Sequence, residues 1–208
     1  MGKRVRVVDP WKLKRWYKII APRIWDEKEV GETAASDEKL LYGRTVEIPA
    51  SMLTGSIGHA HYILWFQIEQ VVGSEARTWF KGYEIDNAYI KRLTRRHSSK
   101  IEHVFDVTTR DGAVLHVKAI TWTAVNVSNR QATEIRKIMQ QMIEERAKKL
   151  GADELMKEFV IGDLSQKIAQ AANKIAPIRK MEIAKVRVLQ RPNEQGASEA
   201  TATAEAAA

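Results

Sequence analysis

The chain has 208 residues, of which 44% are hydrophobic and 29% charged, and a formal net charge of +8. That length suits one hydrophobic core with tails, and the apolar share excludes disorder throughout. The absence of cysteine excludes disulfides, Cys-ligated zinc, iron–sulfur clusters and thiol catalysis.

The charge is concentrated at one end. Residues 1–25 carry Lys3, Arg4, Arg6, Lys12, Lys14, Arg15, Lys18 and Arg23 against Asp9 alone, so nearly all of the excess sits there. One-sided charge suits a polyanion, because each Lys or Arg that meets a phosphate releases condensed counterions. Trp11, Trp16, Tyr17, Ile19 and Ile20 are interleaved with these cations, and Ala21-Pro22 closes the run. The segment is too short and too charged to form a core. It is expected to be an extended arm on another surface, with Trp11, Trp16 and Tyr17 as anchors and the cations as phosphate contacts. No apolar stretch of secretory type follows the basic residues. The longest apolar run, Tyr62 to Phe66, is far short of the about 18 residues that span a bilayer. A cytoplasmic protein with no membrane partner is expected.

From residue 41 the pattern turns to strands. Tyr42 to Ile48 is the first, closed by Pro49, which cannot donate to a ladder. His61 to Val72 places Tyr62, Leu64, Phe66 and Ile68 on one face, predicted to be core. Gly73-Ser74 turns it into Glu75 to Lys81 as an antiparallel hairpin. Asp86 is a cap for a short helix reaching Arg95, with Tyr89, Ile90 and Leu93 on its apolar side. Lys100 to Thr109 and Ala113 to Thr123 follow as a second hairpin across Asp111-Gly112, a pair suited to positive φ.

Ser128 and Gln131 have capping-box spacing. Ile135, Met139, Met142, Ala147 and Leu150 continue at helical spacing, supported by Glu144–Lys148 and Glu145–Lys149, to a stop at Gly151. Helices over 153–161 and 163–176 follow, the latter stopped by Pro177. Ala184, Val186 and Val188 alternate with Lys185 and Arg187 in a last strand with a basic outer face. Residues 192–208, with no aromatic and no large aliphatic residue, are expected to be a disordered Ala-rich tail.

Chemistry-bearing patterns are few. Lys91, Arg92, Arg95 and Arg96 fall at i, i+1, i+4 and i+5, one stripe if the helix runs through them, and Lys100 extends the basic run without an acid. A single-signed stripe repels itself unless an anion covers it, and RNA phosphate is the natural counterpart, against a solvated helix face. His59 and His61 share one face if both stand on a strand, the beginning of a metal site, but no third ligand follows. Neither a Gly-x-Gly-x-x-Gly turn nor a Walker loop is present. Phe80-Lys81-Gly82-Tyr83 has the composition of a base-stacking surface and equally that of a strand ending in a turn.

Several segments in order resemble one family. They are Val8-Asp9-Pro10-Trp11, Trp16-Tyr17 with Ala21-Pro22, Gly31-Glu32-Thr33, Gly43-Arg44, Phe80-Lys81-Gly82, Asp106 to Gly112, Ile135 to Met139, and Pro177-Ile178-Arg179 leading into Lys185 to Leu189 and Pro192. Through them the chain resembles the archaeal and eukaryotic small-subunit ribosomal protein family S3Ae. It departs from the family pattern at Ala176, where an aromatic is usual, and in the Ala-rich tail.

The resemblance implies a β-barrel body with appended helices, seated on the platform of the small subunit beside the messenger exit. It also implies ribosomal RNA and neighbouring ribosomal proteins as partners, with messenger RNA and initiation factors as further candidates, and neither cofactor, metal nor catalytic residue. The resulting expectation is an α+β chain: a basic arm over 1–25, one domain over 26–191 built as a small antiparallel β-barrel with C-terminal helices, and the tail. The expected RNA contacts are the arm residues together with Lys91, Arg92, Arg95, Arg96, Lys100, Lys185 and Arg187. The rivals are a free RNA-binding regulator with a similar barrel and a metal hydrolase built on His59 and His61.

Overall fold

The computed structural model describes residues 10–191. Lys3, Arg4, Arg6 and the tail from Pro192 lie outside the described residues. Eight strands and five α-helices are present among those described, so the α+β expectation holds. The described residues divide into two compact units, 10–48 with 65–80, and 49–64 with 81–191.

In the first unit, β1 (Arg15–Ile20) pairs antiparallel with β2 (Glu29–Ala35), Tyr17 facing Thr33. Arg15–Ile20 is thus a strand rather than part of an extended arm. Its alternation explains why: Tyr17 and Ile19 are buried while Arg15, Trp16 and Lys18 stay outside, a period-2 pattern obscured by the charges. Tyr17 packs with Ala35, Leu41, Ile68 and Ala76 in a small core. Trp25 is 3% exposed and meets Phe80 edge-on, ring centroids 5.9 Å apart. β3 (Thr45–Pro49) leads into α1 (Ala50–Thr54). β4 (Tyr62–Val72) and β5 (Glu75–Ile85), joined at Gly73-Ser74, run from one unit into the other. The predicted core face of β4 is buried throughout: Tyr62, Leu64, Phe66 and Ile68.

The second unit contains α2 (Asn87–Leu93), β6 (Lys100–Thr108), β7 (Val114–Thr123), α3 (Asn129–Ala147), α4 (Ala152–Ile161), α5 (Leu164–Ala172) and β8 (Ile178–Gln190). The Ser128 capping box is present, Ser128 Oγ accepting from Gln131 N at 3.4 Å and the Gln131 side chain from Ser128 N at 3.0 Å. α3 packs on β6 and α5 on β8. β8 pairs antiparallel with both β5 and β7. Against β7 its register skips Leu189, Ala184 and Arg179. Each is an extra residue of the bulge kind, which bends the strand and re-aims side chains. The bulge at Ala184 interrupts the predicted alternation, and Met181 to Ala184 are all buried.

The barrel is not formed. The sheet is mixed, since β1 pairs parallel to the start of β5, and it does not close. Among the described residues, β2 in the first unit pairs only β1, and β6 in the second pairs only β7. Closure needs the outermost strands to find each other, a long-range pairing that strand composition does not encode.

Candidate nucleic-acid interface

The expected contact residues divide by whether a carboxylate already holds them. Lys18 Nζ lies 3.0 Å from Glu29 Oε2, and this bond raises the lysine pKa. Arg23 stands 3.4 Å from Glu27. Lys185 Nζ reaches Glu84 Oε2 at 2.6 Å. Lys100 and Lys118 share Glu102, Lys118 at 3.0 Å, and these bonds hold the Glu102 carboxyl below its ordinary value. Lys185 also faces Lys118 across the β7–β8 ladder. Opposed like charges destabilise a sheet, so Glu84 and Glu102 are local counterions there.

Lys12, Lys14, Arg15, Lys91, Arg92, Arg95 and Arg96 are exposed, and none forms an ion pair among the described residues. In the first unit, Lys14 Nζ sits 4.2 Å over the Trp11 ring, while Trp11 and Trp16 are each 61% exposed. Tyr17, expected beside them as an anchor, is instead 4% exposed in the core.

In the second unit the basic run is a helix end and a turn rather than a stripe. Asp86 caps α2, its carboxylate accepting from Ala88 N at 3.1 Å, as read from the sequence. The helix stops at Leu93, because Thr94 turns to extended geometry (φ −78°, ψ 121°) and donates its N–H to Ile90 and Lys91 carbonyls. Arg95 and Arg96 therefore fall on the turn that follows, where His97 takes φ +60° and Ser98 Oγ donates to Arg95 O at 2.7 Å. Ile90 and Leu93 are half-buried rather than core. Trp122, wholly buried on β7, donates from Nε1 to Thr94 Oγ1 at 3.1 Å and so ties this turn to the sheet. The Arg92 guanidinium lies 5.1 Å over the Tyr89 ring, which stacks on His61 at 3.9 Å and 17°. Arg187, on the exposed side of β8, faces His116, whose Nδ1 is 2.5 Å from Asp106.

A buried polar group that the sequence did not mark lies in the same unit. Glu182 is 5% exposed and accepts from Tyr62 Oη at 2.6 Å and from Lys180 Nζ at 3.0 Å. Lys180 Nζ also donates to Tyr89 Oη at 2.5 Å. Burial, with the Glu182 charge beside it, pushes the Tyr62 hydroxyl pKa far up, so the phenol stays a donor. The only sequence signal was Glu182 inside an apolar run, Met181 to Ala184.

His59 and His61 do not make a strand pair. His59 ends a short 3-10 turn, Ile57–His59, with Nδ1 3.2 Å from Thr54 Oγ1, and β4 begins only at Tyr62. No group of three or more His, Asp or Glu able to hold a metal occurs among the described residues. Desolvation lowers the His61 pKa from its ordinary 6.5, and Glu182 opposes that while Lys180 adds to it. With the folded value depressed, the unfolded chain takes up the proton first, so stability is lost as pH falls below the unfolded value of about 6.5. We expect His61→Gln to flatten the fall in urea midpoint between about pH 7 and 5 relative to wild type. Parallel profiles would show that His61 does not carry this dependence.

No helix among the described residues is long and apolar enough to cross a membrane. The model of the Ribosomal S3Ae family matches residues 2–192. Small ribosomal subunit protein eS1 of Staphylothermus marinus is 42% identical over 194 residues, 93% of this chain and 92% of that protein. The eS1 protein of Desulfurococcus amylolyticus is 39% identical over 193 residues, 93% and 91% of the two chains. That of Ignicoccus hospitalis is 40% identical over 196 residues, 93% and 92%.

Proposed function

The chain belongs to the ribosomal S3Ae family, and from that premise we propose that it is a structural, RNA-binding constituent of the small ribosomal subunit and not an enzyme. The observation that carries the RNA contact is the division of the cations. A carboxylate stands beside each of Lys18, Arg23, Lys100 and Lys185. At Lys12, Lys14 and Arg15, and again at Lys91, Arg92, Arg95 and Arg96, none does. A run of exposed like charges is stabilised when phosphates replace its counterions.

Trp11 and Trp16 complete the first group. Exposed indoles beside cations suit stacking on bases or burial against a neighbouring protein. Lys18, Arg23, Lys100 and Lys185 fall outside the proposed contact set, since a carboxylate already stands beside each, and so does Tyr17, which is core. On the strength of the family resemblance we place the seat on the platform beside the messenger exit, with neighbouring ribosomal proteins as further contacts.

Changing Arg92, Arg95 and Arg96 together to Ala is expected to weaken binding to small-subunit RNA and flatten its salt dependence by roughly 0.7 to 0.9 units of slope for each phosphate no longer neutralised. Circular dichroism should be unchanged, because all three side chains are exposed. An unaltered slope would put the run against solvent or protein. Sedimentation separates the proposal from a free RNA-binding regulator, since a subunit component stays with the particle through a moderate salt wash.

A further inference from the structure

A cavity of about 500 Å3 opens in the second unit between α5 and β8. Phe159, Val160 and Met181 are its buried apolar lining, and Tyr62, Lys180 and Glu182 lie at one side, already bonded to one another. Part of the remaining polar wall is uncommitted. Gln166 and Gln170 are one turn apart on α5, exposed, and neither amide makes a hydrogen bond among the described residues. Asn173 Oδ1 accepts from Ile178 N at 2.6 Å, which leaves the amide NH2 as a donor. Arg179 is exposed, forms no ion pair among the described residues, and is one of the three residues that the β7–β8 register skips. A bulge at that position takes Arg179 out of the ladder alternation and turns it toward the cavity rim, the use to which bulges beside binding sites are put.

We propose that this cavity holds one unstacked nucleotide of RNA, its base edge on Gln166, Gln170 and Asn173 and its phosphate on Arg179. The proposal rests on the RNA-binding function above and assigns a base-reading site to it. The volume falls within the range of small-molecule pockets, 300 to 1,000 Å3 as a rough guide. Primary amides offer a donor and an acceptor side by side, which matches the edges of bases splayed out of a stack. A guanidinium fork suits a phosphate. Asp163, also on the lining, is placed to accept from an exocyclic amine or a ribose hydroxyl. The exposed cation at the rim favours a nucleotide over a neutral peptide segment. The cavity also shares its His61 wall with the Tyr89–Arg92 stack, so it adjoins the proposed phosphate-binding turn.

The test is photocrosslinking from position 170, with Gln170→p-benzoylphenylalanine in the full chain reconstituted into small subunits. Crosslinking to one nucleotide or two adjacent ones is expected. The double change Gln166→Ala with Gln170→Ala should then expose that base to chemical modification in otherwise intact subunits, with an unaltered urea midpoint of the free protein as the folding control. A crosslink to a neighbouring protein, or none, overturns the nucleotide site. If the Arg92, Arg95 and Arg96 variant still flattens the salt slope, only the cavity assignment falls; if it does not, the RNA-binding reading falls with it.

Discussion

Replacing Gly82 by alanine is expected to destabilise the second unit by about 3 to 5 kcal/mol, a large part of the stability of an ordinary domain. Gly82 has φ +150° and stands opposite Arg187 in the β5–β8 ladder. A Cβ built there would lie 2.2 Å from the Val186 carbonyl oxygen and 3.1 Å from Arg187 Cα. Both obstacles are backbone, so no side chain can swing aside. The strands must part, and the neighbouring Tyr83, wholly buried with its hydroxyl bonded to Ile183 O at 3.0 Å, must move with them. Gly112→Ala is the comparison. Gly112 has φ +76°, and a Cβ at that position would meet nothing within 4 Å, so only the left-handed backbone is penalised, at about 1 kcal/mol. Equal urea midpoints for the two variants would show that the close approach to β8 is not what requires glycine.

The second large effect is expected at Trp122. Its indole is wholly buried, and truncation to alanine should cost about 3 to 5 kcal/mol. Trp122→Phe keeps most of the apolar volume and removes only the bond from Nε1 to Thr94 Oγ1. That single hydrogen bond contributes about 1 kcal/mol, but Thr94 ends α2 where the chain turns into Arg95 and Arg96. The phenylalanine variant should therefore fold and yet bind RNA less tightly, with hydrogen exchange accelerated over residues 94–98. A variant as stable and as tight in RNA binding as wild type would show that Thr94 does not need the indole to hold the turn.

Much of the fold was legible in local pattern. The core face of β4, the hairpin across Asp111-Gly112, the Asp86 cap and the Ser128 capping box are short-range signals, and each appears where residue spacing put it. β1 was missed because its cations outweigh its alternation by composition, although Tyr17 and Ile19 keep the period of 2. The helix expected to reach Arg95 ends at Leu93, where Thr94 leaves helical geometry and meets Trp122, a partner 28 residues on that no local pattern marks. For the interface, sequence found the cations but not their counterions. That Lys185 belongs to Glu84 follows from the β5–β8 pairing, whereas Lys100 and Glu102 stand two residues apart on β6, a local pair whose spacing was in the sequence. The Gly82 requirement has the same origin: the glycine in Phe80-Lys81-Gly82-Tyr83 serves the approach of β8 rather than a base.

The place of β8 has a further consequence for the order in which the chain can fold during its own synthesis. The pairings of the first unit lie within the first 80 residues of the chain, including the parallel contact of 18–20 with 75–77. In the second unit, β8 is both the last of the described strands to be made and the one bonded to β5 and β7. Until residues 178–190 emerge, β5 and β7 each have a ladder edge without its partner. Pairings so distant in sequence form slowly, and open strand edges invite association between nascent chains. A chain halted short of Ile178 would carry its complete basic strand β1 together with an unfinished sheet, so aggregation during overproduction is expected to begin from that edge.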